Sequence, residues 1–239
     1  MRKRLDVLLV ERGLADSRAQ AQALVMAGLV HGYEKAGQQV DESAELVVEQ
    51  PPRFVSRGGD KLAHALDELG VDPAGRDALD VGASTGGFTD CLLQHGALKV
   101  YAIDVGHGQL AHQLTIDPRV VVMDRTNARH VTPDAFTERV DFVVVDASFI
   151  SLEKLLPAIS SWLASGARLL AMIKPQFEVG RDEARRTRGV VRDAEVRSAA
   201  IEHVLAAIGE SGFTVRGGAD STVAGPKGNV EYFVLAEKN

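Results

Sequence analysis

Apolar residues recur along the chain in two rhythms, and the change between them divides it. In the first fifty residues Leu5, Leu8 and Leu9 fall on one helical face that Gly13 closes. Ser17 opens a second helix carrying Ala19, Ala21, Ala23, Leu24 and Val25, which ends at Gly28. A short run follows, Leu29-Val30-His31-Gly32-Tyr33, then strand pieces around Val40 and over Leu46-Val47-Val48. The proline pair of Pro51-Pro52-Arg53-Phe54-Val55 cannot continue a ladder. The pattern predicts a compact unit over 1–50, a linker over 51–55 and a larger domain over 56–239.

From Lys61 onward short, β-branched apolar runs alternate with helix-length stretches. Strands are predicted at Ala78–Val81, Lys99–Ile103, Val120–Met123, Val140–Val145, Arg168–Ile173, Phe213–Val215 and Val230–Leu235. Helices are predicted at Phe88–His95, Ile150–Leu163 and Glu195–Gly209. Such alternation implies an α/β domain whose largely parallel sheet is covered on both faces. The connection Arg216–Asn229 is too short for a crossover helix, so the last of the seven strands is expected to be antiparallel. The polar segment Pro175–Val191, with Arg181, Arg185, Arg186 and Arg188, reads as a long loop.

Composition narrows the setting. The 239 residues are 45% hydrophobic and 25% charged, which is enough for one full core and a small second one. No apolar run reaches the roughly 18 residues of a membrane span, and the charged start Arg2-Lys3-Arg4 leaves no secretory h-region. The single cysteine, Cys91, excludes a disulfide framework and suits a reducing cytoplasm. A net charge of −6 argues against wholesale attraction to nucleic acid, so any such contact must come from local clusters.

The most informative segment is Asp80-Val81-Gly82-Ala83-Ser84-Thr85-Gly86-Gly87-Phe88, a glycine-rich turn between a strand and a helix. Its spacing is G-x-x-x-G-G, not the G-x-G-x-x-G that cradles a dinucleotide pyrophosphate. Asp104 ends the second strand, where an acid can hold a ribose diol, and Asp124 ends the third. These residues, with Asp146, are the candidate cofactor contacts, and they suit S-adenosylmethionine. Asp146 ends the fourth strand, and the fifth delivers Lys174 directly to the same edge. With Lys61 at the start of the first helix of this domain and Glu231 on the last predicted strand, they suggest a catalytic set of two amines and two carboxyls.

Residues 61–239 resemble the FtsJ-type RNA ribose 2′-O-methyltransferases, whose Lys-Asp-Lys-Glu tetrad falls in this order, and the tetrad maps to Lys61, Asp146, Lys174 and Glu231. The whole chain resembles the TlyA family, whose members go by the names haemolysin and ribosomal RNA 2′-O-methyltransferase. The resemblance is carried by Ser56-Arg57-Gly58, the glycine-rich turn, Asp104-Val105-Gly106, Arg125-Thr126-Asn127-Ala128-Arg129, Ser148-Phe149-Ile150-Ser151-Leu152, Lys174-Pro175-Gln176-Phe177-Glu178-Val179-Gly180 and Gly228-Asn229-Val230-Glu231-Tyr232-Phe233. It implies a Rossmann-like class I methyltransferase sheet that uses S-adenosylmethionine and requires no metal. The implied target is a cytidine of 23S ribosomal RNA, and in some members of 16S RNA as well, within ribosomal RNA or a ribosomal subunit. The first unit resembles an α+β S4 RNA-binding domain. Arg2, Lys3, Arg4, Arg12 and Arg18 are its candidate RNA contacts, joined by Arg181, Arg185, Arg186 and Arg188 of the larger domain.

A ribose hydroxyl must lose its proton as it attacks, and an amine can take it only when neutral. Lys174 is the expected base, Lys61 the neighbouring cation, and the carboxyls of Asp146 and Glu231 orient the pair. The readings weighed against this are a nucleotide-dependent oxidoreductase, a non-catalytic RNA-binding or ribosome-assembly factor, and a membrane-active haemolysin.

Overall fold

The computed structural model describes residues 1–50, 52–225 and 227–239, and for Arg181, Asp182 and Ala184 the backbone alone. The chain divides into two units, Met1–Arg53 and Phe54–Asn239.

In the first unit β1 (Arg2–Arg4) leads directly into α1 (Leu5–Glu11), followed by α2 (Arg18–Met26) and β2 (Gln39–Asp41). The Ser17 hydroxyl caps α2 by accepting the Gln20 N–H at 3.2 Å. Leu5, Leu8 and Leu9 meet Ala21, Leu24, Val25, Val30 and Val40 in a core of their own. The strand Arg2–Arg4 escaped the sequence reading because all three of its residues are basic. It pairs antiparallel with β2, Lys3 opposite Val40. Leu46–Val48 forms no strand and contributes a single bridge, Val48 to Val30.

The second unit runs α3 (Arg57–Glu68), β3 (Asp77–Val81), α4 (Gly87–Gln94), β4 (Lys99–Ile103), α5 (His112–Thr115), β5 (Val120–Met123), β6 (Phe142–Val145), α6 (Leu156–Trp162), β7 (Arg168–Ile173), α7 (Pro175–Glu178), α8 (Arg181–Arg186), α9 (Ala194–Glu210), β8 (Phe213–Asp220) and β9 (Tyr232–Lys238). The sheet order is β5-β4-β3-β6-β7-β9-β8. β9 runs antiparallel to both of its neighbours, and the pairings from β5 to β7 are parallel. Side-chain alternation sends Leu79, Val81, Val143, Val145 and Leu169 toward α6 and α9. It sends Ala78, Val100, Ala102, Val144 and Leu170 toward α3 and α4. All four residues of β6 are buried because both faces are covered.

Three expectations are corrected. Phe54, placed in the linker, is 3% exposed within the second core, and the Val55 N–H donates to Asp90 at 2.8 Å; of the expected linker, Pro51 lies outside the described residues. The segment Pro175–Val191 contains α7 and α8 instead of a plain loop, since Pro175 pre-sets the first turn of α7. The connection after β8 begins only at Ser221, because β8 continues past a bulge between Val215 and Gly217 to Asp220. Among the described residues no helix is long and apolar enough to cross a membrane.

Candidate functional site

The carboxyl ends of β3, β4, β6 and β7 open on one edge of the sheet, and two adjoining cavities lie there. The first, of about 330 Å³, is lined by Ser56–Gly58, Lys61, the turn residues Gly82–Thr85, Gly87, Phe88, Asp146, Ser148, Lys174 and Glu231. The second, of about 430 Å³, is lined by Val81, Ile103, Asp104, Val105, Gly106, Gln109, Asn127, Ala128, Phe149, Ile150 and Leu155 among others. Gly82, Ser84, Asp146 and Ser148 belong to both, so the two form one continuous site.

The four charged residues suggested as a set meet in the first cavity. Lys61 Nζ donates to Glu231 Oε2 at 2.5 Å, and Lys174 Nζ pairs with Asp146 Oδ1 at 2.5 Å. Lys174 also donates to the Ser148 hydroxyl at 2.8 Å and to the Asp146 carbonyl at 3.4 Å. Lys61, Lys174 and Glu231 are 9%, 7% and 2% exposed. Burial raises the Asp146 carboxyl above its ordinary value, and the Lys174 ammonium pulls it back down. Two buried ion pairs are thus built from four separate segments.

Glycine explains how those segments come together. A Cβ on Gly82, at φ +90°, would stand 2.8 Å from the Asp146 carbonyl oxygen. One on Gly87 would stand 2.2 Å from Ser56 Oγ and 2.8 Å from Gly59 N. The glycines expected to admit a ligand therefore first admit other backbone. They let the start of α4 close on the start of α3, and this carries Lys61 to the sheet edge. Gly86, at φ +94°, packs against Leu110 and Leu114 instead of lining a cavity.

The acids differ in role. Asp104 lines the second cavity, its carboxylate accepting the Ser84 N–H at 2.8 Å and the Gly106 N–H at 2.6 Å. Asp80 does not reach either cavity. It is fully buried behind the turn and accepts the Thr89 hydroxyl at 2.7 Å; burial pushes its carboxyl up to about 7. Asp124 also stays outside, accepting from Gly108 N at 2.8 Å and paired with His107 at 2.9 Å. Each braces a loop. Ser148, Asn127 and Ile150, which line the cavities, were not singled out from the sequence. The available signal was position, since every loop following a strand at this edge contributes to the site.

The candidate RNA contacts of the first unit are engaged internally. Arg4 and Arg18 both hold the fully buried Asp6 carboxylate, at 2.9 and 3.2 Å. Lys3 pairs with Glu11 and Glu42, and Arg12 donates to the carbonyls of Glu42 and Ala44. In the second unit Arg186 pairs with Glu183 at 2.6 Å, whereas Arg185 and Arg188 are exposed. The Arg181 side chain lies outside the described residues.

A polar cavity of paired amines and carboxyls beside a more apolar one, reached through a turn without pyrophosphate spacing, fits a nucleoside cofactor with a charged tail. Asp104, held by two amides, can take a ribose diol, and the Asn127–Ile150 side can take a base. The class these features define is a methyltransferase dependent on S-adenosylmethionine. The FtsJ-like methyltransferase family matches residues 54–238, and the S4 domain matches residues 3–31. The chain is 47% identical to the 16S/23S rRNA (cytidine-2′-O)-methyltransferase TlyA of Mycobacterium tuberculosis, covering 98% of this chain and 89% of that one. It is 38% identical to Hemolysin A of Brachyspira hyodysenteriae, covering 96% and 97%. A solved structure from Streptococcus thermophilus described as a hemolysin aligns at TM-score 0.77 and 41% identity, covering 100% and 89%. The magnesium protoporphyrin IX methyltransferase of Synechocystis, at 17% identity and TM-score 0.53 over 80% and 89%, shares the fold. The chain belongs to the FtsJ-like methyltransferase family.

Proposed function

We propose that this protein transfers a methyl group from S-adenosylmethionine to the 2′-hydroxyl of a cytidine ribose in ribosomal RNA, either 23S alone or 16S as well. The observation that carries the reading is the pair of buried lysines, each matched to a carboxylate, around one cavity that continues into a nucleoside-sized one. The Mycobacterium tuberculosis relative, named for its cytidine and its rRNA, supplies the nucleotide and the RNA.

Bound in the two cavities, S-adenosylmethionine supplies an activated methyl group and needs no metal. The Gly82–Thr85 turn and Asp104 would hold it, with Asn127, Ala128 and Ile150 toward its base. Lys174 receives the proton of the ribose hydroxyl; Asp146 fixes that amine through its ion pair. Lys61, fixed by Glu231, presents a cation to the hydroxyl oxygen and favours its alkoxide character. Holding oxygen and methyl in line converts an encounter into a positioned reaction. The 2′-hydroxyl itself selects RNA over DNA. Exposed Arg2, Arg185 and Arg188 are positioning contacts for phosphates, which carry no sequence information. Ribosomal RNA or an assembled subunit in the cytoplasm is the partner.

Replacing Lys174 by Ala is expected to lower methyl transfer by at least about 10²-fold, the usual scale of a general base, while calorimetry finds S-adenosylmethionine binding nearly unchanged. Parent-like turnover overturns the assignment. Mapping ribose methylation in ribosomal RNA from cells with and without the protein identifies the nucleotide.

A further inference from the structure

Among the described residues the Lys174 amine has three polar contacts, and they are not equivalent. Two are oxygens of Asp146, the carboxylate Oδ1 at 2.5 Å and the carbonyl at 3.4 Å. Both can only accept, so neither can pair with the lone pair of a neutral amine. The third is Ser148 Oγ at 2.8 Å, a hydroxyl that can accept from an ammonium or donate to a neutral amine without moving a heavy atom. The surroundings sharpen the problem. Lys174 is 7% exposed, whereas Ser148 is exposed and lines both cavities. The other charged groups lining this cavity are Lys61 and the exposed Arg57 from α3 and Glu231 from the approach to β9; Lys61 and Glu231 are already matched to each other at 2.5 Å, and Asp80 lies buried behind.

We infer that Ser148 is a positioning residue for the methyl-transfer reaction: it carries the Lys174 proton out to solvent and then donates to the neutral amine. The inference rests on the reading of Lys174 as base. In the step, an N–H proton of Lys174 passes to Ser148 Oγ as the Ser148 hydroxyl proton passes to a solvent water. Lys174 becomes neutral, Ser148 is unchanged in charge, and the water becomes hydronium. The Ser148 hydroxyl then rotates off the nitrogen, and the freed lone pair accepts the ribose proton, returning Lys174 to the ammonium so that the cycle repeats. Without the hydroxyl, the resting amine faces only acceptors and waits on direct exchange with water.

The test compares Ser148→Ala, Ser148→Thr and the parent on deproteinised 23S ribosomal RNA lacking the modification, with kcat and KM taken from pH 6 to pH 9. For Ser148→Ala, kcat is expected to fall about tenfold at pH 7, the scale of one hydrogen bond to a charged group, with KM for S-adenosylmethionine within about twofold. The deficit should narrow as pH rises, because hydroxide draws the proton away directly, and Ser148→Thr should restore most of it. An Ala variant with unchanged kcat at pH 7, a deficit equal at every pH, or a Thr variant no better than Ala each overturns the relay. Those failures leave the role of Lys174 standing. That role fails separately, if Lys174→Ala turns over like the parent.

Discussion

The Lys61–Glu231 pair allows the sharpest separation of scaffold from chemistry. At 2.5 Å and an effective dielectric of about 20, the gross attraction is about 7 kcal/mol. Burial to 9% and 2% exposure removes several kcal/mol of hydration from each ion. The pair is therefore near neutral for stability as a whole, yet removing one partner strands the other. Lys61→Met and Glu231→Gln are each expected to cost about 3–5 kcal/mol, whereas the double variant should recover most of that loss. In a unit of this size such a loss lowers Tm by roughly 6–20 °C. Methyl transfer should behave oppositely, staying low in the double variant because Lys61 is still missing. Thermal unfolding and single-turnover methylation on the four proteins provide both readouts. A double variant less stable than either single one refutes the electrostatic reasoning. A double variant that regains methylation refutes any chemical role for Lys61 and leaves the pair a buried tether.

Two further outcomes follow from the turn and its supports. Gly82→Ala forces a Cβ to within 2.8 Å of the Asp146 carbonyl oxygen at φ +90°, so it should destabilise by about 1–3 kcal/mol. It should also weaken S-adenosylmethionine binding at least about tenfold; calorimetry giving a parent-like affinity would count against this account of the turn. Asp80, pushed up to about 7 in the folded chain, keeps a proton there that the unfolded chain releases near 3.9. Stability should therefore fall as pH rises between about 4 and 7, by up to the order of 4 kcal/mol. Asp80→Asn should flatten that slope, and denaturant titrations at pH 5 and pH 8 check it.

The seven strands of the larger unit were legible because its sheet is buried on both faces, which leaves unbroken apolar runs such as Phe142–Val145. The first strand was not, because Arg2–Arg4 is an edge of a two-stranded ribbon with little to bury. The order of chemical residues along the chain was also readable, since strands that end at one edge announce what they deliver. Which acids enter the cavity was not. Asp80, Asp104 and Asp124 share a sequence context, and only the packing of Thr89, His107 and Gly108 separates two braces from one lining residue. The internal pairing of the basic residues of the first unit was not legible for a related reason. A charge along a chain does not reveal whether a buried partner such as Asp6 has already claimed it.

The strand order has a consequence for biosynthesis. β9 inserts between β7 and β8, and Glu231 immediately precedes it. A growing polypeptide thus holds Lys61 without this counter-ion until translation has passed residue 231. Methylation competence would then arrive in a single event, and ribosome-bound fragments that stop short of β9 would be inert toward the RNA around them.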